Sequence, residues 1–132
     1  MKLVPEVKAA WLEKLRSGEI PQTRGVLKRV EHVYGNPPGM CCLGLVCEAY
    51  ADAHPDEKVW GEVNEGSKAV PFLNIYAVTP SAVDNWAFGC NTEGMSDPYA
   101  VEMPSGKTTL WKLNDVSGLT FSEIADIIEE QL

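Results

Sequence analysis

The chain has 132 residues, 45% of them hydrophobic, which is enough for one globular domain with its own core. Its 11 basic and 19 acidic side chains give a formal charge of −8, which repels phosphate backbones and argues against nucleic-acid binding. No stretch approaches the ~18 apolar residues of a membrane span, and the first residues lack a signal-peptide core, so we expect a cytoplasmic protein without membrane contact.

The first predicted element is a helix over residues 5–17. Pro5 suits the first helical position, and Gly18 is typical of a residue that ends a helix. Apolar side chains recur at four-residue spacing and form one face: Val7, Trp11 and Leu15.

A strand and a turn are predicted next. Residues 22–34 are rich in β-branched side chains, which favour extended structure. The sequence GNPPG (35–39) suits neither helix nor strand and predicts a turn. We therefore expect a hairpin around residues 22–41.

A second helix is predicted over residues 42–53, with the apolar positions Leu43, Val46, Cys47 and Tyr50 on one face. It ends at His54, because the residue before a proline disfavours helix. Gly44 lies in its first turn, where glycine costs about 1 kcal/mol relative to alanine. This glycine indicates close approach by another backbone, as in tight helix-on-strand packing, or by a ligand.

The rest of the chain alternates short elements. Extended pieces are expected at residues 59–63 and 69–79, a helix beginning with Thr79 as N-cap and Pro80 at its first position, and a strand at 99–103. A last helix follows a capping box formed by Thr120 and Glu123, with Leu119 and Ile124 at the staple positions. The prediction is a single α+β domain of residues 1–132, with a small antiparallel sheet and about four helices.

The cysteines raise two possibilities, a structural metal site and a reactive thiol. Adjacent Cys41 and Cys42, with Cys47 five residues on and Cys90 far away, match no structural zinc pattern, so no metal or other cofactor is predicted. A thiol at the start of a helix, however, has its pKa lowered by the helix dipole. The same residues are equally typical of core positions, because cysteine is among the most buried residue types.

A cysteine-dependent hydrolase is therefore one hypothesis. Its nucleophile would be Cys41 or Cys42, and its base would be His32, if a hairpin centred between residues 36 and 37 places it opposite residue 41. Asn114 or Asp115 could orient the imidazole. Whether the chain is an enzyme stays open at this point.

A pocket for a small anionic molecule is the main hypothesis. Arg24 offers a planar fork for carboxylate or phosphate, and the N–H groups where the second helix begins favour an anion. The predicted ligand-binding residues are Gln22, Arg24, Cys42, Asn114 and Asp115. In the alternative interpretation, Arg24 and Asp115 form a structural ion pair and Asn114 satisfies loop backbone.

Four motifs together resemble a known family: QTRGVL, CCLGLVCEAY, TPSAVDNWA and LNDVSGLTFSEIADIIEE. They are similar to a family of small uncharacterised proteins common in bacteriophages and some bacterial genomes. Ile20 departs from it where the family has an aromatic residue, and His32 lies in a longer hairpin. The resemblance implies a phage-encoded accessory role in the host cytoplasm, such as sequestering a signal molecule or binding a host defence protein. A purely structural or protein-interaction module is the third alternative.

Overall fold

The computed structural model describes residues 2–32, 37–63, 68–71 and 78–132, in which helices and short antiparallel strands are joined by turns and loops. The α+β class is confirmed, with five helices in this part where about four were expected. The helices are α1 (Pro5–Ser17), α2 (Cys42–Ala53), α3 (Ser81–Phe88), α4 (Leu110–Asp115) and α5 (Phe121–Gln131). The strands are β1 (Lys28–Arg29), β2 (Gly39–Met40), β3 (Trp60–Val63), β4 (Lys68–Pro71), β5 (Ala100–Met103) and β6 (Gly106–Thr109).

The strands form two antiparallel sheets. The first has the order β2-β1-β4-β3, and the second is the hairpin of β5 and β6. α1 packs against α2 and α5, and α2 also contacts α3 and α4. The core therefore lies around α2, whose residues from Cys42 to Cys47 are all buried.

α1 and α2 confirm the periodicity argument. The predicted stripe of α1 is buried, and Gly18 ends the helix with a φ of 72°. α2 begins at Cys42 with Cys41 as its N-cap and ends before His54. A Cβ atom on Gly44 would lie 2.0 Å from the backbone oxygen of Leu27, so the close neighbour of this glycine is another backbone.

The strand predicted over residues 22–34 is much shorter in the structure. Within its described part, regular pairing covers only Lys28–Arg29, and Gln22 makes an isolated parallel bridge with Met40. Gly25 has a φ of 82°, which breaks the extended path between these two pairings. Residues 33–36, which include the end of this strand and part of the predicted turn, lie outside the described residues.

The hairpin itself is confirmed, but its register differs from the one assumed. Lys28 pairs with Met40, so Leu27 faces Cys41, and the N–H of Cys41 donates to the Leu27 carbonyl at 3.1 Å. His32 is exposed beyond the end of β1 and does not face Cys41. The expected opposition of His32 and Cys41 is therefore wrong, because the hairpin is centred closer to the N-terminus than was assumed.

The later elements are partly as expected. α3 begins one residue late, since Pro80 has an extended ψ of 149° and acts as the N-cap. β5 and the capping box of Thr120 and Glu123 are confirmed. β6 and α4 were not predicted. Residues 72–77 of the extended piece predicted at 69–79, and residues 64–67, lie outside the described part.

Candidate functional site

Asn114 holds the predicted binding residues together. Its side chain is fully buried near the end of α4. Its Oδ1 accepts from Gln22 Nε2 at 2.8 Å and from the backbone N–H of Cys42 at 3.2 Å. Its Nδ2 donates to the Thr23 carbonyl at 2.9 Å and to Asp115 Oδ1 at 2.8 Å. All four hydrogen-bonding positions of the amide are therefore used within the protein.

Arg24 contacts Asn114 and its bonded neighbours, a group here called the Asn114 corner, from the surface. Its Nε donates to the Asn114 carbonyl at 2.9 Å and its Nη2 to the Gly118 carbonyl at 3.4 Å. Arg24 and Asp115, both described, form no ion pair within 4 Å. The proposed structural ion pair is thus replaced by hydrogen bonds from the guanidinium to backbone carbonyls, whereas the structural role foreseen for Asn114 is present.

The five predicted ligand-binding residues meet at one place, but they bind mainly one another. The Cys42 N–H is bonded to Asn114, and the Gly44 N–H donates to Cys41 Sγ at 3.4 Å. Two of the N–H donors expected to hold an anion at the start of α2, those of Cys42 and Gly44, are therefore engaged by the protein. Only Asp115 of these five residues also lines a cavity among those described below.

Burial sets the chemistry of the thiols. Burial raises the pKa of Cys41 to about 12, and the Gly44 N–H opposes this rise only in part. Burial also raises the pKa of Cys42 and Cys47 well above the ordinary value. The pKa lowering expected from the helix dipole is therefore wrong in direction, because the loss of hydration outweighs the dipole. All four cysteines are described and none forms a disulfide.

Two cavities lie next to this corner, and they share the side chains of Leu43, Val78 and Trp111. The first, here called the apolar cavity, has a volume of about 430 Å³. Its remaining lining residues are Gly25, Val26, Leu27, Cys41 and Asp115.

The second cavity, here called the acidic cavity, also has a volume of about 430 Å³ and is lined by Asp84, Glu93 and Asp97 among other residues. Asp84 accepts the Tyr99 hydroxyl at 2.6 Å. Burial raises the pKa of Asp84, and the negative charge of Asp97 adds to this rise. Asp97 is fixed by the Tyr99 N–H at 2.8 Å and by a hydrogen bond from the Thr109 hydroxyl.

The residues that the two cavities share were not predicted from the sequence. Leu110, Leu113 and Asn114 are buried at helical spacing, whereas Trp111 lies off this stripe and is 43% exposed. A tryptophan off the buried stripe of a helix was the available signal, but it required α4 to be recognised first. Val78 had no comparable signal in the sequence.

Comparison with known proteins identifies a matching family. A family model described as Domain of unknown function (DUF8296) matches residues 2–132. No curated protein and no solved structure shows significant similarity to the chain. In the described ranges, no helix is long and apolar enough to cross a membrane, and no group of three or more His, Cys, Asp or Glu side chains is placed to hold a metal ion.

Proposed function

The chain belongs to the family described as Domain of unknown function (DUF8296), and from its geometry we propose a binding domain that takes a small ligand at Trp111. The observation that carries the proposal is the sharing of Leu43, Val78 and Trp111 by two cavities of about 430 Å³ each. Concave sites of this size with apolar walls and a few polar groups are typical of small-molecule binding.

Exposed apolar side chains support this location. Four large hydrophobic residues are exposed in the described part of the chain, and three of them line these cavities. Val78 is 56% exposed, Met95 48% and Trp111 43%. Such clustering of apolar surface marks an interaction site more than a scattered distribution would. A ligand that covers these side chains would remove their apolar surface from water.

The hydrogen bonds of the Asn114 corner would hold the site rigid. Asn114 joins α4, which carries Trp111, to the start of α2 and to the segment before β1. Because a preformed site avoids the entropy cost of ordering on binding, this network favours affinity. The predicted residues Gln22, Arg24 and Asn114 line neither cavity. They would then act by holding α4 and its Trp111 in position.

The charge of the lining argues against the anionic ligand expected from the sequence. Asp84, Glu93 and Asp97 line the acidic cavity, and Asp115 lines the apolar one. Arg24 lines neither of them. The net charge of −8 repels anions from the whole surface. We therefore propose a neutral or cationic ligand.

A protein partner is the second candidate, and the exposed Met95 and Trp111 favour it. Both residue types are enriched at protein interfaces. The resemblance to phage proteins supports an accessory role in a host cell for either candidate. The hydrolase hypothesis has less support, because the thiols of Cys41 and Cys42 are buried with raised pKa values and His32 lies elsewhere.

A thermal-shift screen with small metabolites of different charge tests the proposal. A ligand that binds the folded chain raises its Tm by mass action. Trp111→Ala should abolish this rise, whereas Val116→Ala, a change at an exposed apolar residue outside both cavity linings, should retain it. A screen without any shift, or a shift that survives Trp111→Ala, would contradict the small-molecule proposal. A purified host protein that binds the native chain but not Trp111→Ala would support the second candidate instead.

A further inference from the structure

We propose that the ligand carries an ammonium group on an apolar body, and that Asp115 binds this cation in the apolar cavity. The inference rests on the binding function proposed above and adds the chemical class of the ligand. It also gives Asp115 a role distinct from that of the other residues at the Asn114 corner, which serve to position it.

The isolation of its charge carries the argument. Among the described residues that line the apolar cavity, Asp115 is the only one with a charged side chain. Its neighbours in the lining are glycine, aliphatic side chains, one tryptophan and one neutral thiol. Walls of low polarity weaken the screening of a carboxylate by water, so a cation entering the cavity gains more from it than on an open surface.

The position of the carboxylate is fixed on one side only. Asp115 Oδ1 accepts Asn114 Nδ2 at 2.8 Å, and Asn114 is itself held by three further hydrogen bonds. Within the described part of the chain, no donor binds Oδ2 and no lysine or arginine pairs with the carboxylate. Asp115 is therefore oriented by one oxygen while the other can accept a charge-assisted hydrogen bond from an ammonium group.

Trp111 supplies the apolar body of the ligand with a partner. The Nζ atom of Lys112 lies 5.5 Å from the centroid of the Trp111 ring, a cation–π distance, so the ring already has a cationic neighbour and the ammonium group of the ligand is assigned to Asp115 and not to the ring. Leu43 and Val78 extend the apolar surface beside the ring. A compound with an aromatic or aliphatic body and a terminal ammonium group would satisfy both parts of the lining.

Three probes with the same aromatic ring and different charges test the inference: 2-phenylethylamine, 2-phenylethanol and 3-phenylpropionate. Their affinities for the full chain are measured at neutral pH by titration of its NMR amide signals. We expect the amine to bind about tenfold more tightly than the alcohol, and the carboxylate to bind least. High salt should reduce the preference for the amine, because it screens the charge.

Asp115→Asn removes the charge but keeps an oxygen that can accept the Asn114 amide. This variant should bind the amine and the alcohol about equally, with the affinity for the alcohol unchanged. Asp56→Asn is the matched control: it removes one negative charge from an exposed turn outside both cavity linings. It should retain the preference for the amine, which separates the local carboxylate from the total charge of the chain.

The outcomes separate this inference from the proposed function. If none of the probes binds the native chain, both are overturned for ligands of this kind. If the alcohol or the carboxylate binds as tightly as the amine, the binding function stands and the ammonium preference is wrong. A preference for the amine that survives Asp115→Asn overturns the role of Asp115. If that variant does not fold, a preference in the native chain that high salt leaves unchanged overturns the inference.

Discussion

The Oδ1 atom of Asn114 accepts the backbone N–H of Cys42 at 3.2 Å, across 72 residues of sequence. The contact joins the last turn of α4 to the first turn of α2. It uses a donor that a helix start would otherwise offer to solvent or to an anion. The same amide also reaches Gln22 and Thr23, so one buried side chain connects three segments of the chain.

Asn114→Ala should therefore lower the free energy of unfolding by about 3 kcal/mol or more, because several buried polar groups lose their partner. Urea denaturation measures the change. Asn91→Ala is the control, since its exposed side chain accepts only the Glu93 N–H at 2.9 Å among the described contacts. That variant should lose less than about 1 kcal/mol. Equal losses in the two variants would contradict a central role for Asn114.

Gly44→Ala should destabilise the chain although alanine is the better helix former by about 1 kcal/mol. Its Cβ would lie 2.0 Å from the Leu27 carbonyl oxygen, so α2 and the backbone at Leu27, just before β1, would have to move apart, at a cost of about 3 kcal/mol. Gly18→Ala isolates the backbone term, because Gly18 has a φ of 72° and no atom within 4 Å of an added Cβ. Its loss should be about 1 kcal/mol. A stabilised Gly44→Ala variant would show that α2 and the Leu27 backbone are not in contact.

Iodoacetamide at neutral pH should modify Cys90 first, because Cys90 is exposed whereas Cys41, Cys42 and Cys47 are buried. The thiolate is the reacting form, and the raised pKa values of the three buried thiols leave little of it. Mass spectrometry of Cys90→Ser should show slow labelling in buffer and complete labelling in urea. Fast labelling of Cys41 or Cys42 in the folded variant would return support to the hydrolase hypothesis.

The chain should lose stability at alkaline pH. The pKa of Cys41 is about 12 in the folded chain, raised from an ordinary value of 9.0. Between these values the unfolded chain releases a proton that the folded chain keeps, so the free energy of unfolding falls as the pH rises above 9. Denaturation at increasing pH measures the slope. Cys41→Ser keeps an N-cap acceptor but does not titrate in this range, so its slope should be smaller. An unchanged slope would contradict the assignment to Cys41.

The free energy of unfolding of Asp84→Asn should increase relative to that of the native chain as the pH rises from about 4 to 7. Burial raises the pKa of Asp84 above its ordinary value of 3.8, so stability that is present below this value is lost as the pH rises through the folded-state pKa. The asparagine oxygen can still accept the Tyr99 hydroxyl. Thermal denaturation of both proteins over this pH range, with the exposed Asp56→Asn as the control, measures the effect. A Tm difference that stays constant with pH would refute it.

The sequence alone was sufficient for the elements whose signals are local. The helix α1 and the capped helix α5 were predicted at nearly their observed bounds, because apolar spacing and caps act within a few residues. α2 was predicted for the same reason. The α+β class follows from these elements and from the short extended pieces between them. The short α4 gave too little periodicity to be predicted before its position was known.

Only the tertiary structure decided the site. The hairpin register depends on the left-handed φ of Gly25 and on the pairing of Leu27 with Cys41, and a shift of a few residues removed His32 from the thiols. The burial of Asn114 and the apolar surface shared at Trp111 arise from segments that are tens of residues apart. Contacts of this kind depend on how the elements pack, and local spacing carries no information about that.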